Sequence, residues 1–241
     1  MPSTLTDAER ILLQIEGELP KLLYVLVGPS GVGKNTIIKK LLTNNPLMDR
    51  IRTYTTRPPR QGETPGEQYH FVSVEEFRRL AIEGKLLEAD ASIAGRDVYG
   101  LGALYSMPRN LFGEVLPGKH LVIAEVDMFG MRRLKQDYPD SIAIFITAPP
   151  DVLYQRLLER PDDHMDEISL EQRMITAREQ MRSAGECDYL IFNDGDGLDQ
   201  AVRQVEAIVL AERTRIRRGM DLQKIVPVDA FGGQVTHHRS D

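Results

Sequence analysis

The chain has 241 residues, 41% of them hydrophobic, enough for one α/β domain with a smaller subdomain and short extensions. A net charge of −6 argues against non-specific nucleic-acid binding, which depends on a basic surface, so any anionic substrate must be met by local arginines. One cysteine, Cys187, excludes an intrachain disulfide and is expected to be a packed thiol. No apolar run approaches the ~18 residues of a membrane span. Asp7, Glu9, Glu16 and Glu18 near the start argue against a signal peptide, so a cytoplasmic protein without membrane or nucleic-acid partners is expected.

In chain order, residues 5–17 place Leu5, Ile11, Leu12 and Ile15 on one helical stripe, with Thr6 and Glu9 as a capping box. That predicts an N-terminal helical extension over 1–20 whose role is packing. LLYVLV (22–27) reads as a buried strand leading into GPSGVGKNT (28–36), and IIKKLL (37–42) reads as helix. A strand, a glycine-rich turn and a helix start in that order make a phosphate-binding loop. Backbone N–H groups surround a polyphosphate, and the positive end of the helix faces it. The candidate nucleotide-binding set is therefore Gly28, Pro29, Ser30, Gly31, Val32, Gly33, Lys34, Asn35 and Thr36, with Lys34 reaching the outer phosphates.

The full pattern, G-x-x-x-x-G-K followed by Ser or Thr, puts a metal-binding hydroxyl after the lysine, but this chain has Asn35 there and Thr36 next. Thr36 or Asn35 is thus the candidate Mg²⁺ ligand. The alternative is an ion held through waters and the nucleotide's own oxygens.

Residues 51–119 change texture to short, polar, Gly/Pro-punctuated segments, which suggests an inserted substrate-facing subdomain. Three further apolar runs, 120–126, 141–147 and 188–192, read with the first as strands buried on both faces. Helical patterns lie at 36–43, 128–137, 151–160, 171–182 and 197–215. Strand–helix alternation with apolar strands predicts an α/β fold with a parallel sheet flanked by helices. The end of the chain is polar and aperiodic and is expected to be a frayed tail over 216–241. The five histidines are scattered without partners at ligand spacing and make no metal site.

Residues 53–72 read TYTTRPPRQGETPGEQYHFV. Arg57 and Arg60 flank two prolines and offer two guanidinium forks to one phosphate, and Tyr69 can add a hydroxyl. A solvated charged loop is the competing reading. Taken with the phosphate loop, the blocks GPSGVGK, TTRPPRQGE, GEQYHF, EVDMFG and YLIFND occur in an order that resembles the guanylate kinases, from about residue 20 to about residue 215.

The resemblance implies a P-loop kinase core over 21–215, with a GMP-binding subdomain at about 51–119 and an arginine-bearing helical lid at about 156–174. It implies ATP-dependent phosphorylation of GMP and dGMP with Mg²⁺, in purine nucleotide metabolism. Carried over to this chain, Arg57, Arg60, Tyr69 and Tyr99 would hold the GMP phosphate. Thr53 and Glu88 would read the guanine edge, where one carboxylate can accept from both N1–H and the 2-amino group. Glu125 and Asp127, at a strand end, would lie near the acceptor and metal, with solvated carboxylates as the alternative. Arg156, Arg160 and Arg173 would close on the transferring phosphoryl group, with Arg178 a further candidate. Asn193 would flank the ATP adenine, unless it simply ends a strand. Lys34, Arg57, Arg60, Arg156, Arg160 and Arg173 make up the catalytic set.

The chain departs from the family at several points. Leu101 stands where a Ser or Thr helps bind guanine, Pro161 replaces a glycine, and the Glu88–Tyr99 and Pro161–Arg173 spacings are longer than usual. Losing one guanine hydrogen bond costs on the order of 1 kcal/mol, so selectivity should be blunted rather than lost. The alternatives are a kinase of another phosphorylated sugar or nucleotide, such as ribose 1,5-bisphosphate, and a non-catalytic interaction module of the same fold. The residues leave oligomeric state open.

Overall fold

The computed structural model describes residues 21–59, 62–67, 69–87, 96–97, 103–112, 121–159, 167–194 and 197–216. The expected helix at 5–17 and the tail lie outside them. The described elements are β1 (Leu22–Val27), α1 (Lys34–Asn44), β2 (Met48–Arg50), β3 (Thr53–Thr55), β4 (Tyr69–Phe71), α2 (Val74–Ile82), β5 (Arg96–Asp97), β6 (Leu104–Ser106) and β7 (Leu121–Glu125). They continue with α3 (Met128–Asp137), β8 (Ile142–Thr147), α4 (Pro150–Leu158), α5 (Glu167–Arg182), β9 (Tyr189–Phe192) and α6 (Leu198–Thr214).

Five strands form a sheet in the order β2-β7-β1-β8-β9, and every pairing in it is parallel. Period-two alternation sorts the central strands onto two faces. Leu22, Tyr24 and Leu26 join Ile123, Ile144 and Ile146 beneath α1, α4 and α6. Leu23, Val25 and Val27 join Val122, Ala143 and Phe145 against Met128, Met131 and Leu134 of α3. A doubly covered parallel sheet explains why these runs are continuously apolar.

Two features differ from the sequence expectation. β9 is an edge strand paired only with β8, and Leu190 and Phe192 are each more than half exposed, so it is not buried on both faces. β2, three residues of mixed polarity, is an unforeseen strand at the opposite edge.

A second sheet, β4-β3-β6-β5, lies within the 51–119 segment. Its own core is Phe77, Leu80, Ala81 and Leu86, with Tyr54, Val72 and Leu104 packed against them. Ser73 caps α2 by accepting from the Glu76 N–H at 3.1 Å. Among the described residues, no helix is long and apolar enough to cross a membrane.

Candidate active site

The carboxyl edge of the large sheet, the small sheet and helices α4 and α5 enclose a cleft of about 320 Å³. Its floor is the β1–α1 turn. Gly28 and Gly33 adopt φ of 141° and 93°, and a Cβ on Gly28 would sit 2.0 Å from the Ile146 carbonyl oxygen. No L side chain fits that approach. Gly33 is the N-cap of α1; no side chain caps the helix and its first turn holds no acidic residue. The first N–H groups of α1 therefore have no anionic partner within their own turn, the local chemistry of an anion site.

Lys34 Nζ donates to the carbonyls of Gly28 at 2.7 Å and Pro29 at 3.1 Å and lies 3.8 Å from Glu125 Oε1. The same carboxylate accepts from Arg50 Nη2 at 3.1 Å through Oε2, and that nitrogen also donates to Asn35 Oδ1 at 2.6 Å. Arg50 reaches Glu125 because β2 pairs with β7, Arg50 opposite Ile123, two residues before the strand's last residue. One carboxylate thus binds the loop lysine on one side and a buried arginine on the other.

Across the cleft, Arg57 makes a two-point pair with Glu63, Nη1–Oε2 2.8 Å and Nη2–Oε1 3.0 Å, and its Nε donates to the Tyr105 hydroxyl at 3.3 Å. Its guanidinium also lies over the Tyr69 and Phe71 rings, 5.4 and 5.5 Å from their centroids. Burial opposes its charge, but the Glu63 hydrogen bonds and the neighbouring Tyr105 outweigh that and raise the pKa, so Arg57 is a permanent cation. Thr53, Tyr69, Tyr105 and Ser106 line the same wall, with Asp127, which caps α3 by accepting from the Gly130 N–H at 2.8 Å.

On the third side, Arg156 Nη1 donates to the Asn193 carbonyl at 3.0 Å, and Arg173 Nη1 approaches Ser30 Oγ at 3.4 Å. Gln180 of α5 lies beside them, its Oε1 buried without a hydrogen-bond partner. Asn193, expected beside the adenine, is instead 2% exposed beneath the loop, and its Nδ2 donates to the Val32 carbonyl at 2.8 Å. Pro29 and Val32 likewise serve through their carbonyls rather than on the cleft wall. Arg178 is exposed and off the cleft wall.

The guanylate kinase family model matches residues 21–212. The chain belongs to the guanylate kinase family. It is 36% identical over 203 residues to the guanylate kinase of Symbiobacterium thermophilum, covering 83% of this chain and 90% of that one. It is 35% identical over 213 residues to the guanylate kinase of Gluconobacter oxydans, covering 87% and 97%. The crystal structure of guanylate kinase from Anaplasma phagocytophilum superposes with a TM-score of 0.65 at 23% identity, covering 86% of this chain and 95% of that one; the likeness is one of fold.

Of the residues expected from the guanylate kinase pattern, the cleft brings together Gly28, Ser30, Gly31, Gly33, Lys34, Asn35, Thr36, Thr53, Arg57, Tyr69, Glu125, Asp127, Arg156 and Arg173. Arg60, Glu88, Tyr99, Leu101 and Arg160 lie outside the described residues. Arg50, Glu63, Tyr105, Ser106 and Gln180 were not singled out from the sequence. Glu63 stands inside the quoted TTRPPRQGE block and could have been found there. Arg50, Tyr105 and Ser106 depend on strand pairings, and Gln180 on the packing of α5, which no local pattern reveals.

Of the two candidate Mg²⁺ ligands, Thr36 lines the cleft, whereas Asn35 is engaged elsewhere. Asn35 Oδ1 is taken by Arg50, the Glu125 carboxylate by Arg50 with Lys34 close by, and Asp127 caps a helix. Among the described residues, no group of three or more His, Cys, Asp or Glu side chains is placed to hold a metal ion.

Proposed function

We propose that this chain transfers the γ-phosphoryl group of ATP to GMP, and to dGMP, giving ADP and the diphosphate. Support comes from one observation above the rest: an uncapped helix N-terminus with its loop lysine and a permanently charged arginine with its tyrosine face each other across a single cleft. The family membership points the same way and favours neither the sugar-phosphate kinase nor the interaction module.

In this reading the loop from Gly28 to Thr36 holds the ATP phosphates. Thr53, Arg57, Tyr69 and Asp127, together with Arg60, Glu88 and Tyr99, hold GMP in the 51–119 segment. A phosphate oxygen of GMP attacks the γ-phosphorus while the bond from phosphorus to the β–γ bridging oxygen breaks, and ADP leaves with that electron pair. The attacking oxygen is already anionic, so no strong general base is required. Lys34, Arg57, Arg156 and Arg173, with Arg60 and Arg160, contribute position and positive charge as charge spreads over the transferred group. Mg²⁺ bound together with ATP would supply further charge neutralisation, with Thr36 the residue of this chain that would hold it, directly or through water. The lid expected over 156–174 would exclude water, to which the phosphoryl group would otherwise be lost. Glu88→Gln would then act chiefly on the choice between GMP and AMP. The reaction belongs to cytoplasmic nucleotide metabolism and needs neither nucleic acid nor membrane.

The test is Lys34→Ala in a coupled ADP-release assay with ATP, Mg²⁺ and GMP. Turnover should fall by about 10²-fold or more, in the range of removing one preorganised charge from a phosphoryl-transfer site. Normal turnover would overturn the mechanism.

A further inference from the structure

Arg50 is 6% exposed and sits behind the cleft wall rather than on it. Burying a guanidinium beside one carboxylate is costly, and such a pair is weak evidence for stability as such. What Arg50 does locally is orient Asn35. An arginine has five N–H donors and no acceptor, so the Asn35 atom 2.6 Å from Arg50 Nη2 has to be the oxygen. Chemistry therefore decides which way the amide points. Its Nδ2 donates to no described protein group, and Asn35 lines the cleft at the start of α1.

We propose that Asn35 presents an N–H₂ donor, not an oxygen, to a phosphate oxygen of the bound nucleotide, and that Arg50 is the positioning residue that sets this orientation. The inference rests on the reading of this cleft as an ATP site. Where a hydroxyl after the loop lysine would accept a metal ion, this chain supplies a direct hydrogen bond to the anion. Glu125 completes the device: it accepts from Arg50 and lies beside Lys34, so the donor at Asn35 and the cation at Lys34 are held from one carboxylate. Part of the affinity for the triphosphate is thereby made independent of a divalent ion.

The experiment is calorimetric titration of the full chain with ATP, once in EDTA and once with Mg²⁺, on wild type, N35S, R50M and the double variant. N35S should weaken metal-free ATP binding by about five- to tenfold, the value of one hydrogen bond to an anion, and should increase the factor by which Mg²⁺ tightens binding. R50M should weaken metal-free binding in the wild-type background and add little in the N35S background, because it acts through the same amide. A role for Arg50 in folding alone would leave the Mg²⁺ factor unchanged. Metal-free affinity unaltered in N35S, or losses in the two single variants that simply multiply, would overturn the proposal. N35S decides the matter even if R50M does not fold. GMP-dependent ADP formation by the same wild-type preparation is recorded separately: its absence, with ATP still bound, overturns the GMP reading alone.

Discussion

Asn193 Nδ2 donates to the Val32 carbonyl at 2.8 Å, joining the end of β9 to the phosphate loop across 161 positions of sequence. The backbone carbonyl of Asn193 accepts from Arg156 at 3.0 Å, and its N–H donates to Thr147 at 2.7 Å. A Cβ on Gly33 would meet the Asn193 Nδ2 at 2.6 Å. The loop's shape is thus set partly from below, by an amide that leaves room for glycine only.

Asn193→Ala should destabilise the fold by about 1–3 kcal/mol, because the buried Val32 carbonyl loses its close partner and keeps only the long contact from Arg156 Nη1 at 3.5 Å. Thermal melts with and without ATP would show a lower Tm in both, with a smaller rise on adding ATP than in wild type. Gly33→Ala should weaken ATP binding more in the wild-type background than in the N193A background, where the clashing amide is gone. A residual penalty remains, since φ at Gly33 is 93°.

The Arg57–Glu63 pair yields a second prediction. Glu63 fixes the guanidinium by two hydrogen bonds while the Tyr69 ring lies against it. Glu63→Ala leaves the charge but frees the side chain, so KM for GMP should rise by about tenfold or more while KM for ATP stays within about twofold. Initial rates with each substrate varied in turn would check this. Equal rises in both constants would point to general loosening of the cleft.

Cys187 is packed against the α3 side of the sheet, and its thiol is pushed up to about 11, first by burial and then by the neighbouring charges of Asp188 and Glu186. The folded value lies above that of a free thiol, so the unfolded chain releases its proton first. The corresponding stability is fully present below the free-thiol pKa, about 8.5, and is lost as pH rises from there through the folded value. Labelling with a thiolate-specific reagent should be slow in the native protein at pH 7–8 and fast after denaturation. Rapid native labelling at neutral pH would contradict this placement.

How far the fold could be read in advance followed from where each element sits. The strands β1, β7 and β8 are covered by helices on both faces, so their sequences are continuously apolar and unmistakable. β9 is apolar too, yet it is an edge strand with Leu190 and Phe192 facing outward; hydrophobicity reported the strand but not its position. β2 escaped notice because a three-residue edge strand ending in a charged residue carries no periodic signal. The same limit applies to the cleft. Lys34 and Arg57 stand in local motifs whose chemistry can be read directly. Arg50 owes its place to a parallel pairing with a strand more than seventy positions away, and its contact with Glu125 exists only once the sheet has formed. Asn193 was noticed, but its contact with Val32 could not be read in advance, because a residue after the last strand can face either the ligand or the loop beneath it.

In the proposed reaction this cleft joins ATP to GMP. The most direct measurement is ADP release with ATP and Mg²⁺, with GMP, dGMP, IMP, AMP, UMP and ribose 1,5-bisphosphate compared as acceptors in parallel. The kcat/KM for GMP should lie about 10³-fold or more above AMP and UMP, because a site that pairs with guanine's donors would leave buried groups unpaired with other bases. Activity confined to ribose 1,5-bisphosphate, or no turnover with any acceptor, would contradict it.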